Sequence, residues 1–219
     1  METYVTVDTL PEKTERWLRN IAPFNRHEMR LNVPASALLI VDMQEFFLDP
    51  QSPTFTCGGP AIVPTVRGLI DAFRKRGRPV IYTKHAHHPG NLDSGNMGWW
   101  WEGMCVEGTP ESEIHGAIAP RPGEKVVTKR RYSAFFGTDL EIVLRCLKIE
   151  DLVIAGIMTN MCVESTARDA YYRDFRVFVP ADGTGSVTEE MHCASLLNLA
   201  FGFAFVTRAG RIVSEAQEG

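Results

Sequence analysis

Short, continuous apolar runs alternate along this chain with longer segments in which apolar positions recur every three or four residues. A strand covered on both faces is apolar at successive positions, so the runs predict buried strands. The longer segments predict helices with one apolar face. The predicted strands are 37–43, 78–85, 124–129, 151–157, 176–182 and 204–208, and the predicted helices are 61–77, 138–149, 161–174 and 187–201.

Alternation of strands with helices indicates a particular class of fold. It is typical of βαβ units, which build an α/β, doubly wound, mostly parallel sheet with helices on both faces. Residues 35–219 are predicted to form one such domain. Residues 1–34 are predicted to be an N-terminal arm, in which 11–21 forms a short helix with Trp17 on its apolar face.

Composition and charge narrow the class of protein. Lys and Arg number 23 and Asp and Glu 27, for a net charge of -4. This weak acidic excess argues against a nucleic-acid partner, which requires a basic face. No apolar run approaches the ~20 residues that span a bilayer, and no signal peptide is recognisable. With five cysteines and no C-x-x-C pair, we expect a cytoplasmic protein with reduced thiols and no membrane partner.

Three reactive side chains are predicted at the carboxyl ends of strands, where doubly wound folds place their chemistry. Asp42 closes the first strand, Lys129 closes the third, and Cys162 follows the fourth across the turn "GIMTN". Each has an ordinary structural interpretation: a cap or loop acceptor, a solvated lysine, and a buried thiol. We expect these strands to be neighbours, so that the three groups converge.

Convergence would give the three residues complementary chemistry. A thiol with a pKa of about 8.5 is only partly ionised at neutral pH. A helix N-terminus and the Lys129 ammonium both favour the thiolate, so we expect a lowered pKa for Cys162. Asp42 would accept the thiol proton and return it to the leaving group. Backbone N–H groups of the turn would bind a developing oxyanion.

The segments "ALLIVDMQEFF", "KRRYSAF" and "GIMTNMCVESTARDAYYRDFRVFVPADG" resemble the isochorismatase-like cysteine hydrolase superfamily over positions 36 to 206. The resemblance implies a six-stranded parallel sheet and a catalytic triad of Asp42, Lys129 and Cys162. It also implies an oxyanion hole at the backbone N–H groups of Met158 and Cys162, with a cis peptide bond between Ile157 and Met158. Members are commonly homo-oligomers, so we expect a dimer or tetramer.

The resemblance leaves the reaction open between two chemistries. "KRRYSAF", with Trp101 at a fitting distance before it, resembles isochorismatase, which cleaves a vinyl ether without a cysteine nucleophile. "TNMCVESTARDA" is closer to ureidoacrylate and N-carbamoylsarcosine amidohydrolases. Because Cys162 is present, we predict hydrolysis of a C–N bond in a small amide or ureido compound. The alternatives are vinyl-ether hydrolysis, a nicotinamidase-like metal amidase and a non-catalytic binding protein.

The remaining predictions concern the substrate pocket and a metal. Phe47, Trp101 and Tyr132 are predicted to contact a small-molecule substrate. The segment Trp99 to Trp101 is predicted to wall the pocket or to join subunits, with the N-terminal arm also near a contact.

Nicotinamidases of the superfamily hold a metal with Asp-x-His and further histidines. Here "KHAHHPG" supplies His85, His87 and His88, with Asp93 close behind, and His85 stands where those enzymes have the aspartate. We therefore predict no metal. No G-x-G-x-x-G or P-loop motif is present, so no nucleotide cofactor is predicted.

Overall fold

A computed structural model describes residues 3–218, and within that range the apolar runs pair into one sheet. Its strands are β1 Ser36–Val41, β2 Val80–His85, β3 Lys125–Lys129, β4 Asp151–Ile157, β5 Arg176–Pro180, β6 Thr184–Gly185 and β7 Phe205–Thr207. The order is β3-β2-β1-β4-β5-β7, and the two-residue β6 pairs with β4. Every pairing is parallel.

Helices connect most of these strands, because parallel neighbours need a crossover connection. They are α1 Leu10–Ile21, α2 Glu45–Leu48, α3 Gly59–Lys75, α4 Met97–Trp100, α5 Leu140–Cys146, α6 Glu164–Tyr171, α7 Glu189–Gly202 and α8 Ala209–Glu218. Helix α3 packs against β1, β2 and β4, whereas α6 packs against β5 and α7 against β7. The prediction of an α/β fold with a mostly parallel sheet is confirmed.

The central strands β1 and β4 form the core of the sheet. All six residues of β1 and all seven of β4 are buried. Their register runs from Ser36 opposite Asp151 to Val41 opposite Gly156. The two strands therefore end together, and the residues that follow them emerge at one edge. No helix within residues 3–218 has the length and apolar character needed to cross a membrane.

The segment before β1 packs on the same chain. Trp17 of α1 is 2% exposed, and its ring lies edge-on against His192 of α7, with centroids 4.4 Å apart. The indole Nε1 donates to Glu189 Oε1 at 2.7 Å. Helix α7 therefore covers Trp17 within the same chain, and a subunit contact near the N-terminal arm stays a prediction that rests on other residues of the arm.

Glu189 fastens α1 to α7, and its pKa makes the attachment acid-sensitive. Partial burial raises this pKa, but Lys13, Trp17 and Arg16 together lower it to about 2 from an ordinary 4.5. A depressed folded-state pKa means that the stabilisation is complete above about pH 4.5 and is lost as the pH falls toward 2. We expect Glu189→Gln to lower the free energy of unfolding at pH 7 by about 1–3 kcal/mol.

Urea unfolding at neutral and acid pH measures this effect. Glu189→Gln should flatten the loss of stability between pH 4.5 and 2, whereas the exposed neighbour substitution Glu190→Gln should not. Equal pH dependence in the wild type and Glu189→Gln would show that another group controls the acid response.

Candidate active site

Three elements bring the predicted reactive side chains to one buried point. Asp42 follows the last residue of β1, Lys129 ends β3, and Cys162 lies in the π-helical turn Thr159–Val163 between β4 and α6. Lys129 Nζ lies 2.7 Å from Asp42 Oδ2 and 3.3 Å from Cys162 Sγ. Asp42 and Lys129 are 0% exposed and Cys162 is 4% exposed. The ammonium therefore bridges the carboxylate and the thiol.

Sheet order corrects one detail of the prediction. β1 and β4 are neighbours, but β2 lies between β1 and β3. Lys129 therefore reaches Asp42 across a strand, which its long side chain permits because parallel strands lie about 4.8 Å apart. The intervening strand ends in His85, opposite Lys129 in the register. Lys129 Nζ lies 3.1 Å from His85 Nδ1, so a fourth side chain belongs to the cluster.

Asp42 is held by its backbone and by Thr83. Its φ of 52° lies in the left-handed region, which Asp tolerates better than most residues. Thr83 Oγ1 donates to Asp42 Oδ1 at 2.6 Å and accepts from the Asp42 amide at 3.1 Å. These contacts fix the direction in which the carboxylate points. Thr83 gave no signal in the sequence, since a threonine within a strand is ordinary.

Gly156 permits the close approach of β1 and β4 beneath the site. Its φ is 123°, and a Cβ at this position would lie 2.1 Å from the carbonyl oxygen of Val41. No side chain fits there without moving backbone. The glycine therefore lets β4 pair with β1 as far as Val41. This pairing places the cysteine-bearing turn next to Asp42.

The turn that carries Cys162 contains the cis peptide bond implied by the resemblance. The Ile157–Met158 peptide bond is cis, and Met158 and Cys162 both line the same cavity. Helix α7 braces the turn: the Thr159 hydroxyl pairs with His192 Nδ1 at 2.9 Å, and Ser195 Oγ donates to the Thr159 carbonyl at 3.0 Å. Sequence reasoning missed both α7 contacts.

An apolar cavity of about 80 Å³ opens onto Cys162. Phe47, Trp101 and Tyr132, the three residues predicted to contact substrate, all line it. Trp101 Nε1 donates to the Tyr132 hydroxyl at 3.0 Å, which ties two separate segments of the wall together. The other lining residues are Phe46, Thr54, His85, Met97, Gly103, Met104, Cys105, Met158 and Met161. Trp99 and Trp100 lie outside, 70% and 64% exposed.

Burial decides the protonation of the resting thiol. Desolvation raises the pKa of Cys162 to about 12; the Lys129 ammonium opposes this rise, and the Asp42 carboxylate adds to it. This direction is opposite to the expected lowering of the thiol pKa, because Cys162 is buried together with the Asp42 carboxylate. Burial lowers the pKa of Lys129, but Asp42 and Cys162 raise it above its ordinary value. The ammonium thus stays charged beside a neutral thiol.

A metal ion does not fit this cluster. Within residues 3–218 the one group with three candidate ligands is Asp42, His85 and Cys162, whose ligand atoms lie within 4.8 Å of one another. The Lys129 ammonium already contacts all three, at 2.7, 3.1 and 3.3 Å. His85 and His87 approach through their Nε2 atoms at 3.2 Å, but two imidazoles fall short of the three protein ligands of a catalytic zinc. His88 is exposed, and its Nδ1 lies 2.6 Å from the Pro89 carbonyl.

The fold and the Cys–Asp–Lys cluster together define the class of a cysteine-containing α/β hydrolase. A family model described as the Isochorismatase domain matches residues 36–210. Nicotinamidase 3 of Arabidopsis thaliana is 36% identical over 193 residues, covering 85% of this chain and 93% of that protein. Ureidoacrylate amidohydrolase RutB of Methylobacterium radiotolerans is 29% identical over 211 residues, covering 85% and 81%.

A solved structure agrees with these sequence comparisons. A cysteine hydrolase from Pseudomonas syringae pv. phaseolicola superposes with a TM-score of 0.84 at 26% identity, covering 87% of this chain and 96% of that one. The chain therefore belongs to the isochorismatase family. It is a hydrolase, and its relatives support amidohydrolase activity.

The raised thiol pKa predicts how Cys162 reacts with iodoacetamide. Because the resting thiol is protonated, its alkylation rate should still rise between about pH 8 and pH 10 rather than level off below pH 8. Peptide mass spectrometry of the same samples follows the exposed Cys146 as an internal control. A plateau for Cys162 below pH 8 would mean that the site rests as a thiolate.

Proposed function

We propose that this chain hydrolyses the C–N bond of a small, uncharged amide or ureide through an acyl-enzyme on Cys162. The observation that supports the proposal most directly is the ammonium of Lys129, which contacts Asp42 and Cys162 together. Cys162 in turn lines the apolar cavity. A buried base, a buried nucleophile and a charge between them are the parts that acyl transfer requires.

The first half-reaction starts from the neutral thiol. Asp42 takes the Cys162 proton as Sγ attacks the carbonyl carbon, so the proton moves only within a cluster whose ligand atoms lie within 4.8 Å. Lys129 remains charged and offsets the negative charge that passes from carboxylate to thiolate. Backbone N–H groups of Met158 and Cys162 hold the oxyanion. Asp42 then protonates the leaving nitrogen, the C–N bond breaks, and a thioester remains.

The second half-reaction reverses the proton movements. Asp42, again a carboxylate, removes a proton from water as the water oxygen attacks the thioester carbon. Collapse of the intermediate breaks the C–S bond, and Asp42 returns its proton to sulfur. The acid product leaves and the resting thiol is restored.

The cavity wall supports an uncharged substrate. Within residues 3–218 its lining is Phe, Met, Trp and Tyr with single Thr, Gly and His residues and two cysteines, and it includes no Arg or Lys. A carboxylate-bearing ureido acid would be desolvated there without a cation, which costs several kcal/mol. An aromatic or aliphatic amide buries its apolar part against Phe47 and Trp101 instead.

Ammonia release from a panel of small amides and ureides tests the proposal. Neutral aromatic or aliphatic amides should be cleaved at least about tenfold faster, in kcat/KM, than carboxylate-bearing analogues of similar size. Cys162→Ala should remove turnover, and Asp42→Asn should stop it because an amide does not exchange protons. Cys57→Ala, a change at a buried cysteine outside the lining, serves as the control.

One outcome would favour the other chemistry of this family. If Cys162→Ala kept near wild-type activity while Asp42→Ala lost it, no acyl-enzyme would form. Vinyl-ether hydrolysis, which needs the carboxylate and no thiol, would then become the better account of the site.

We also propose that the chain forms a homo-oligomer through Trp99 and Trp100, whose large rings are exposed. Light scattering at micromolar concentration should give at least twice the monomer mass. The double substitution Trp99→Ser and Trp100→Ser should shift the protein toward monomer, since exposed tryptophans are common anchors of subunit contacts. Ile142→Ser, another exposed apolar position, is the control. A monomeric wild type would refute the proposal.

A further inference from the structure

A chain of polar contacts continues outward from Lys129 through residues that the proposed mechanism does not use. Lys129 Nζ lies 3.1 Å from His85 Nδ1. His85 Nε2 lies 3.2 Å from His87 Nε2, and His87 Nδ1 lies 3.0 Å from Asp93 Oδ1. Both imidazoles are buried, with the two residues 6% and 1% exposed.

Lys129, at the inner end of these contacts, can only donate hydrogen bonds. A lysine ammonium has three protons and no lone pair. Its nitrogen and oxygen neighbours are Asp42 Oδ2 at 2.7 Å, the Arg131 carbonyl at 3.0 Å and His85 Nδ1 at 3.1 Å. Cys162 Sγ is more distant, at 3.3 Å, and is the weaker acceptor. His85 Nδ1 must therefore present a lone pair to Lys129.

Asp93, at the outer end of these contacts, only accepts hydrogen bonds. Asp93 forms an ion pair with Arg130, Oδ2 to Nε at 2.5 Å, and receives the His88 amide at 3.1 Å. Partial burial raises the pKa of Asp93, but the His88 amide, His87 and Arg130 lower it below its ordinary value. Asp93 is therefore a carboxylate, and His87 Nδ1 must carry the proton that lies between them.

Two fixed ends leave one arrangement for the two neutral imidazoles. His85 carries its proton on Nε2 and donates it to His87 Nε2, and His87 carries its proton on Nδ1 and donates it to Asp93. We propose that His85 and His87 are positioning residues, which form a one-directional hydrogen-bond chain that holds the Lys129 ammonium against Asp42 and Cys162. The catalytic part of this inference rests on the proposed function; the order of the protons does not.

The surroundings of the pair favour the neutral arrangement. A further proton would set Nε2–H against Nε2–H, or Nδ1–H against the ammonium. Burial and the Lys129 charge lower the pKa of His85 well below its ordinary value. Burial also lowers the pKa of His87, and Asp93 opposes that change only in part. One proton therefore lies in each of the three hydrogen bonds between Lys129 and Asp93, and the two imidazoles carry no further proton.

Gln44 fixes the position of His85 along the sheet edge. Its Oε1 accepts from the His85 amide at 2.7 Å. Its Nε2 donates to the His85 carbonyl at 3.2 Å and to the Ser112 carbonyl at 2.9 Å. The backbone of His85 is thus clamped on both sides, so the imidazole meets Lys129 from a set direction.

Nitrogen NMR of histidine-labelled protein tests the proton order without any substrate. The chain has six histidines, and His→Gln substitutions assign the two signals. Near neutral pH, His85 should be a neutral ring protonated at Nε2 and His87 a neutral ring protonated at Nδ1. The reverse order, or a cationic ring at either position, would overturn the proposal. So would stoichiometric bound zinc whose removal by EDTA abolishes activity.

Kinetics of paired His87 variants tests the positioning role, because His87 does not line the cavity. His87→Leu removes the acceptor for His85 and should lower kcat about tenfold or more with KM unchanged. His87→Gln places an amide oxygen near the Nε2 position and should restore most of kcat. His88→Leu, at an exposed site on the same segment, is the control.

Two kinetic results would contradict the positioning role. Wild-type kcat in His87→Leu would show that the chain does not support Lys129. Equal impairment of His87→Gln and His87→Leu, with both variants folded by circular dichroism, would show that the hydrogen bond is not the cause. If the wild type cleaves no amide, the proposed function fails. The NMR result still decides whether the hydrogen bonds from Lys129 to Asp93 have the proposed proton order.

Discussion

The structure depends on keeping one buried ammonium charged. Lys129 is wholly enclosed, and an unpaired charge in that position would cost several kcal/mol. Asp42 offsets this cost at 2.7 Å, with Cys162, His85 and the Arg131 carbonyl completing the surroundings. Asp42, His85 and Cys162 reach Lys129 from three different parts of the chain. The site and the fold therefore stabilise each other, and removal of either ion-pair partner leaves an uncompensated buried charge.

Sequence patterns predicted the strands because burial on both faces leaves a strong local signal. They also placed Asp42, Lys129 and Cys162 at one sheet edge. They did not give the strand order, which depends on long-range pairing, so His85 was considered only as a candidate metal ligand and not as the neighbour of Lys129. Thr83 and Gln44 were missed for a related reason: their contacts cross from one strand end to another, and nothing in the adjacent residues reports them.

The chemistry was harder to predict than the geometry. A cysteine before a helix and near a lysine suggested a lowered thiol pKa, but that argument assumed a site partly open to water. Full burial and the nearby Asp42 carboxylate reverse the direction. The degree of enclosure comes from α7 behind the turn and from the loop that brings Trp101 to Tyr132. Neither contact has a local signature, so the protonation state became clear only with the packing.

The close approach at Gly156 has a consequence for how this sequence can diverge. Any other amino acid puts a β-carbon against the Val41 carbonyl, and a φ of 123° disfavours every L side chain. Val41 precedes Asp42, so the main chain cannot yield there without displacing the carboxylate. Position 156 is thus closed to stepwise change, although it lies outside the cavity lining. Evolutionary drift in β1 and β4 is confined to side chains that keep these two backbones in contact.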